Sequence, residues 1–265
     1  GSWSAGGALA SSISYHGAVG DKTGQVVAMG TTGNNALGTL DATRTFEYNG
    51  TSWSEAGDNN TNRARAAGAG TVNSGVFFGG YAPNWYGTSQ VATEIYNGTN
   101  FSEVNDMNMG RRSHMGAGLS SEAVLAIGGY QDSAPVNPGF VSEMNEFTEE
   151  WNGTNWSEVN DLNAARWYMG TAGDSSESGI VFGGSYASPA FAVGIATTEQ
   201  WNGSSWSEVS DLNVNLLYTR GQGSTNNAIA AGGLINSPTN TFSKCTEVWD
   251  GTSWSVEASV SYTHL

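Results

Sequence analysis

One phrase recurs five times along this chain of 265 residues: YNGTSWSEAGDNN from Tyr48, YNGTNFSEVNDMN from Tyr96, WNGTNWSEVNDLN from Trp151, WNGSSWSEVSDLN from Trp201 and WDGTSWSVEAS from Trp249. The aromatic residue before the serine falls at Trp53, Phe101, Trp156, Trp206 and Trp254, in steps of 48, 55, 50 and 48 residues, and Trp3 stands 50 residues before the first. A period near 50 residues means one supersecondary unit copied in tandem, each copy too small to bury its apolar face alone. Two further marks recur in each period. An apolar run ends in glycine at VVAMG (26–30), GVFFGG (75–80), AVLAIGG (123–129), GIVFGG (179–184) and AIAAGG (228–233). A glycine lies upstream of each run, at Gly17, Gly68, Gly116, Gly170 and Gly221.

Each unit therefore holds four short extended segments, a to d. Segment a carries the upstream glycine, b is the apolar run, c is the TEEW-like run (148–151, with Thr198 and Thr246 opening its equivalents), and d is the Trp-Ser-Glu run. Asn-Gly or Asp-Gly separates c from d, the short-range signature of a hairpin whose type I′ turn has φ > 0 at both central positions. Segments of four to seven residues rich in β-branched and aromatic side chains fit strands, and no stretch holds a helical apolar period. Four-stranded antiparallel units at this spacing are propeller blades. The expected fold is all-β, a five-bladed propeller in one domain, with blades near 12–57, 63–104, 112–159, 166–209 and 216–258. Residues 1–10 then form a surplus outer strand. Either one terminus closes the ring beside the last c strand, or the chain is cut from a longer array. The final VSYTHL (260–265) reads as a non-native tail or as the start of another a segment, like ISYHG (13–17).

The double glycine closing an apolar strand, the Trp some twenty or more residues later, and the Arg or His opening the next inner strand (Arg112 and His114; Arg166) resemble kelch repeats. The wording is closest to kelch-like arrays of bacteriophage and marine metagenomic proteins. The likeness covers nearly the whole chain. It departs from the kelch pattern in having Asn-Asp-Leu-Asn (160–163) where prolines should follow the Trp, and Gly30-Thr31 where the first unit should have two glycines. The resemblance implies a propeller that recognises a glycan or a host-surface receptor, as a tail-fibre or adhesin head, in an extracellular or virion-associated setting.

Composition removes several classes. Nine Lys and Arg against 24 Asp and Glu give a net charge of −15. That is the wrong sign for neutralising phosphates or docking on anionic lipid, so neither nucleic acid nor membrane is an expected partner. Twelve of those acids are repeat wording: Glu94, Glu149, Glu199 and Glu247 in c, Glu55, Glu103, Glu158 and Glu208 in d, and Asp58, Asp106, Asp161 and Asp211 after d. The one cysteine, Cys245, excludes an intrachain disulfide framework. Three histidines and no Gly-x-Ser-x-Gly leave no metal or nucleophile constellation. The Asn-Asp-x-Asn phrases at 105–108 and 160–163 lack the twelve-position calcium loop. The chain is expected to be non-enzymatic and to need no cofactor; two close carboxylates for glycoside hydrolysis are the weaker alternative.

A binding site is expected where regularity ends. The b–c connections (31–43, 81–92, 130–146, 185–197, 234–244) differ from unit to unit and share one face with the d–a connections. They carry Tyr81, Trp85, Tyr86, Tyr130, Phe140, Tyr186 and Phe191, suited to a sugar face or a protein hot spot, or else capping the blade ends. The inner-strand mouth on that face adds Arg65, Arg112, His114, Arg166 and Tyr168, a cationic cluster for a carboxylate-bearing ligand, or arginines pairing with repeated acids such as Asp106 and Asp161. A surplus edge strand would also allow pairing with another chain.

Overall fold

The computed structural model describes residues 7–9, 11–21, 23–32, 42–82, 88–131, 143–186, 193–235 and 241–257. Among them there is no helix, and five antiparallel four-stranded sheets stand as the blades of a five-bladed β-propeller. Blade 1 is built from strands 1a Gly17–Gly20, 1b Gln25–Ala28, 1c Phe46–Tyr48 and 1d Trp53–Glu55. Blade 2 has 2a Ala67–Thr71, 2b Ser74–Phe78, 2c Thr93–Tyr96 and 2d Phe101–Val104. Blade 3 has 3a Met115–Ser120, 3b Ala123–Ile127, 3c Thr148–Trp151 and 3d Trp156–Val159. Blade 4 has 4a Gly170–Ser175, 4b Ser178–Phe182, 4c Thr198–Trp201 and 4d Trp206–Val209. Blade 5 has 5a Arg220–Ser224, 5b Asn227–Ala231, 5c Thr246–Trp249 and 5d Trp254–Val256. The order within every sheet is a-b-c-d.

The blades cohere through the repeated aromatics. Trp156, Trp206 and Trp254 are each 6% exposed, and each indole Nε1 donates to the first threonine of strand c in the preceding blade: Thr93 at 3.0 Å, Thr148 at 3.1 Å and Thr198 at 3.2 Å. A buried indole brings a large apolar area and one N–H that must find an acceptor. The expected wedges are therefore present, with a hydrogen bond the sequence did not show. The same phrase supplies a second lock. Arg63, Arg111 and Arg166 are buried and pair with Glu94, Glu149 and Glu199 (3.2 Å and 2.9 Å for the first two). Their guanidinia also donate to the carbonyls of Ala92, Phe147 and Thr197. The other carboxylate oxygen of each glutamate accepts from an asparagine at the end of the repeat phrase, Asn60, Asn108 or Asn163. Burial of these charges is compensated only because every carboxylate is so surrounded.

Several expectations need correction. The inner-strand glycines are out of register by one at Gly17 and Gly170. Counting from the glycines at positive φ (Gly20, Gly70, Gly118, Gly173, Gly223) aligns Ala18, Gly68, Gly116, Thr171 and Gly221. Smallness there answers close approach of adjacent inner strands: a Cβ on Gly68 would sit 2.8 Å from the Ala18 carbonyl oxygen, and one on Gly116 3.0 Å from that of Gly68. The double glycine of blade 1 is Met29-Gly30, with Met29 at φ 57° where Gly79 has 63°. The c–d turns are four-residue Asx turns. Asn152 Oδ1 accepts from the N–H groups of Thr154 and Asn155, and only the glycine of each turn has positive φ, so they are not type I′.

One junction differs from the rest. Apolar clusters join blade 1 to 2, 2 to 3, 3 to 4 and 4 to 5, and none among the described residues joins 5 to 1. Ile229 and Ala231 of strand 5b are partly exposed, whereas Val76, Phe78, Leu125, Ile127, Ile180 and Phe182 at the same positions are fully buried. Trp53, which would wedge against blade 5, is only half-buried. Strand 5d closes blade 5 by pairing with 5c, Trp249 opposite Trp254. Trp3 and residues 258–265 lie outside the described residues.

Candidate functional site

The b–c and d–a connections meet on one face, as expected, because the residue after each double glycine bridges back to the residue leading into the inner strand. The bridges are Ala64 to Tyr81, Arg112 to Tyr130, Trp167 to Ser185 and Leu217 to Leu234. Just inside them, the residue two before each inner strand is left-handed: Tyr15 at φ 57°, Arg65 at 58°, Ser113 at 55°, Tyr168 at 54° and Tyr218 at 60°. Such φ values cost a non-glycine residue about 1–3 kcal/mol and persist where the surroundings over-determine them. Here they are held by a chain of backbone hydrogen bonds that runs from blade to blade. Arg65 N–H donates to the Tyr15 carbonyl (2.8 Å), Ser113 to Arg65 (3.2 Å), Tyr168 to Ser113 (3.1 Å) and Tyr218 to Tyr168 (3.1 Å).

The left-handed turn throws these side chains around the channel mouth, where they stack with the residues after the double glycines. The Arg65 guanidinium lies 4.4 Å from the Tyr15 ring and 5.7 Å from Tyr81; that of Arg112 lies 4.9 Å from both Tyr81 and Tyr130. Tyr130 meets Trp167 at 5.5 Å, Trp167 meets Tyr168 at 4.4 Å, and Tyr168 meets Tyr218 at 4.3 Å. A belt of rings and guanidinia thus runs round the mouth from Tyr15 in blade 1 to Tyr218 in blade 5. Tyr15 and Tyr218 are its most accessible members, 48% and 41% exposed. Burial and the neighbouring Tyr168 and Tyr15 raise the Tyr218 hydroxyl above the usual tyrosine range.

Below the belt the five inner strands enclose a channel of about 280 Å³. Arg220, near the start of strand 5a, occupies the position held by Gly17, Ala67, Met115 and Gly170 in the other blades. It reaches across the channel, with Nη1 3.5 Å from Met115 Sδ. Desolvation lowers the Arg220 pKa, and burial together with Arg220 lowers that of His16 to about 4. His16 is therefore a neutral imidazole at pH 7.

Of the residues expected at the site, Arg65, Tyr81, Arg112, Tyr130 and Tyr168 come together in the belt. Arg166 does not: it is buried in the blade with Glu199, and its true equivalents are Arg63 and Arg111 rather than Arg65 and Arg112. The acids it was expected to meet are used elsewhere, Asp106 and Asp161 accepting from the N–H groups of Thr93 and Thr148. His114 is 1% exposed against Phe78, its pKa pushed well below the ordinary value by burial and by Arg111. Tyr186 is exposed, with no ring contact to the belt. Trp85, Tyr86, Phe140 and Phe191 lie outside the described residues. Tyr15, His16, Trp167, Tyr218 and Arg220 were missed. Their signal was a fixed offset of five residues from Tyr15 to Gly20, repeated from Tyr168 to Gly173 and from Tyr218 to Gly223, visible only once the correct glycine is chosen. No protein-family model matches the chain, and no curated protein matches it.

Proposed function

We propose that this propeller is a non-enzymatic recognition module that binds a glycan of a cell or host surface at the channel mouth, as kelch-like phage arrays would. The observation that supports it is the belt itself: the exposed rings of Tyr15 and Tyr218 and the partly exposed Arg65, Tyr81 and Arg112 lie at the mouth, backed by Tyr130, Trp167 and Tyr168, which are buried. Stacked aromatics suit the apolar face of a pyranose. A rigid scaffold with divergent loops on one face is the usual way repeat proteins present binding. The test is a glycan array read with the wild type, Tyr15→Ala and Tyr218→Ala, exposed positions whose loss leaves the blades intact. Binding should fall at least tenfold in both variants. A bound glycan whose affinity neither substitution changes would remove the belt from recognition.

A second reading, a protein-interaction propeller, is favoured by the junction between blades 5 and 1. The outward face of blade 5 and the leading face of blade 1 are the two halves of an interface used four times inside the ring, so a second copy could dock head to tail. Sedimentation with and without residues 1–10 tests it: a concentration-dependent dimer that persists in Tyr15→Ala supports this reading, and a monomer at all concentrations rejects it.

A further inference from the structure

We propose that the channel beneath the belt binds the carboxylate of an acidic saccharide, with Arg220 as its anchor. The inference rests on the recognition reading above and names the ligand class for it.

The first support is charge. In a chain with 24 acids, no Asp or Glu among the described residues lines the channel, while Arg65 and Arg220 do. Elsewhere four arginines have carboxylate partners, Arg63, Arg111 and Arg166 each with a buried glutamate and Arg44 with Glu55 at 2.8 Å, while Arg65 and Arg112 stack on tyrosine rings. Among the described residues Arg220 makes no ion pair, and its one side-chain polar contact is a thioether, a weak acceptor, so its exposed guanidinium fork is left to solvent or a ligand. A planar fork with no partner, in a walled channel, is matched by a planar bidentate carboxylate.

The second support is the set of neutral groups around it. Ser113 Oγ is buried in the channel wall with no hydrogen-bond partner, and His16 Nδ1 is likewise unpartnered. Both can donate to or accept from a ligand oxygen. The third is asymmetry. Four of the five equivalent positions carry Gly, Ala or Met, so the long arm of Arg220 breaks the ring's repetition and gives one orientation to whatever enters. The volume admits a carboxylate and about one sugar ring, with further sugars left to the belt above.

The test is calorimetric titration of the full chain with glucuronate, glucose and sulfate at fixed ionic strength. Glucuronate should bind at least tenfold more tightly than glucose, weaken as salt rises, and lose at least tenfold in Arg220→Gln. Arg220→Lys, which keeps the charge but not the fork, should recover only part of the loss. Circular dichroism of both variants checks the fold, and since Arg220 is exposed and makes no ion pair among the described residues both are expected to keep it. Equal binding of glucuronate and glucose, abolished by Tyr218→Ala, would overturn the channel assignment and leave the recognition reading standing. Sulfate binding as tight as glucuronate would overturn the saccharide class. Unchanged affinity in Arg220→Gln would overturn the anchor.

Discussion

Thr45 opens the c segment of blade 1, where Thr93, Thr148 and Thr198 open theirs and accept an indole N–H from the next blade. Its partner position in blade 2 is Phe101, which fills the apolar space but has nothing to donate. Thr45 is fully buried and its Oγ1 has no hydrogen-bond partner. Valine has nearly the same shape without the hydroxyl. Thr45→Val should therefore stabilise the protein by about 1–2 kcal/mol, the cost of an unsatisfied buried hydroxyl. The same substitution two blade-pairs along has the opposite sign. Thr148→Val removes the acceptor of Trp206 Nε1 and strands that donor, which should cost about 1–3 kcal/mol. The two changes are chemically identical and at equivalent positions, so their difference, about 2–5 kcal/mol, isolates the indole bond. Urea unfolding followed by tryptophan fluorescence and circular dichroism reads it, the coincidence of the two probes checking that the blades unfold together. Phe101→Trp in the wild type should supply the missing donor, after which Thr45→Val becomes destabilising. Midpoints that move in the same direction for Thr45→Val and Thr148→Val would refute the reasoning.

Three further outcomes are expected. Arg111→Met should destabilise by about 3–5 kcal/mol in urea, because Glu149 is left buried and unpaired, and adding Glu149→Leu should return most of it. Trp156→Ala should cost about 3–5 kcal/mol as a core deletion, and Trp53→Ala no more than half as much, because Trp53 is only half-buried and belongs to no apolar cluster among the described residues; equal midpoint shifts would show that blade 5 packs against it in solution. As pH falls, the unfolded chain protonates His16 near 6.5 while the folded chain resists until about 4. Stability from this residue is thus full above pH 6.5 and lost progressively down to pH 4, by up to roughly 3 kcal/mol. His16→Asn should flatten that limb of a stability–pH curve, and a curve parallel to wild type from pH 7 to 4 would sink the assignment.

The blades were legible because their signals are redundant. Each strand is marked by its own run, and the spacing of Trp53, Phe101, Trp156, Trp206 and Trp254 sets the number of sheets without reference to any contact. Register on the inner strand was not, because the physical demand there is for a small side chain near a carbonyl. Ala18 and Thr171 meet it as well as Gly68, Thr171 with its Oγ1 donating to the Gly116 carbonyl at 2.9 Å. Matching glycine to glycine therefore slipped by one. The same slip hid the arginines. Arg63 and Arg65, or Arg111 and Arg112, are close in sequence and opposite in role, one locked to a glutamate in the blade and the other stacked on tyrosines at the mouth. Only the left-handed residue between strand and bridge tells them apart, and a conformation of that kind has no fixed letter: Tyr, Arg and Ser all adopt it here.

The repeats themselves show which charges the fold can do without. The position of Arg63 is Ile13 in blade 1 and Leu216 in blade 5, and the position of Glu94 is Phe46 in blade 1. Blade 1 thus places an apolar pair where three blades place an ion pair, and blade 5 keeps Glu247 satisfied by Asn213 and Val214 N–H groups alone. A buried arginine in this ring is an option for packing, taken only where a carboxylate comes with it. Arg220 breaks that pattern. It stands where Gly, Ala or Met suffices for the blade, exposed in a channel lined by no Asp or Glu among the described residues, and it makes no ion pair among them. A charge that structure neither requires nor neutralises is the place to look for what the molecule holds, and the left-handed residues from Tyr15 to Tyr218, bonded backbone to backbone, frame the way in above it.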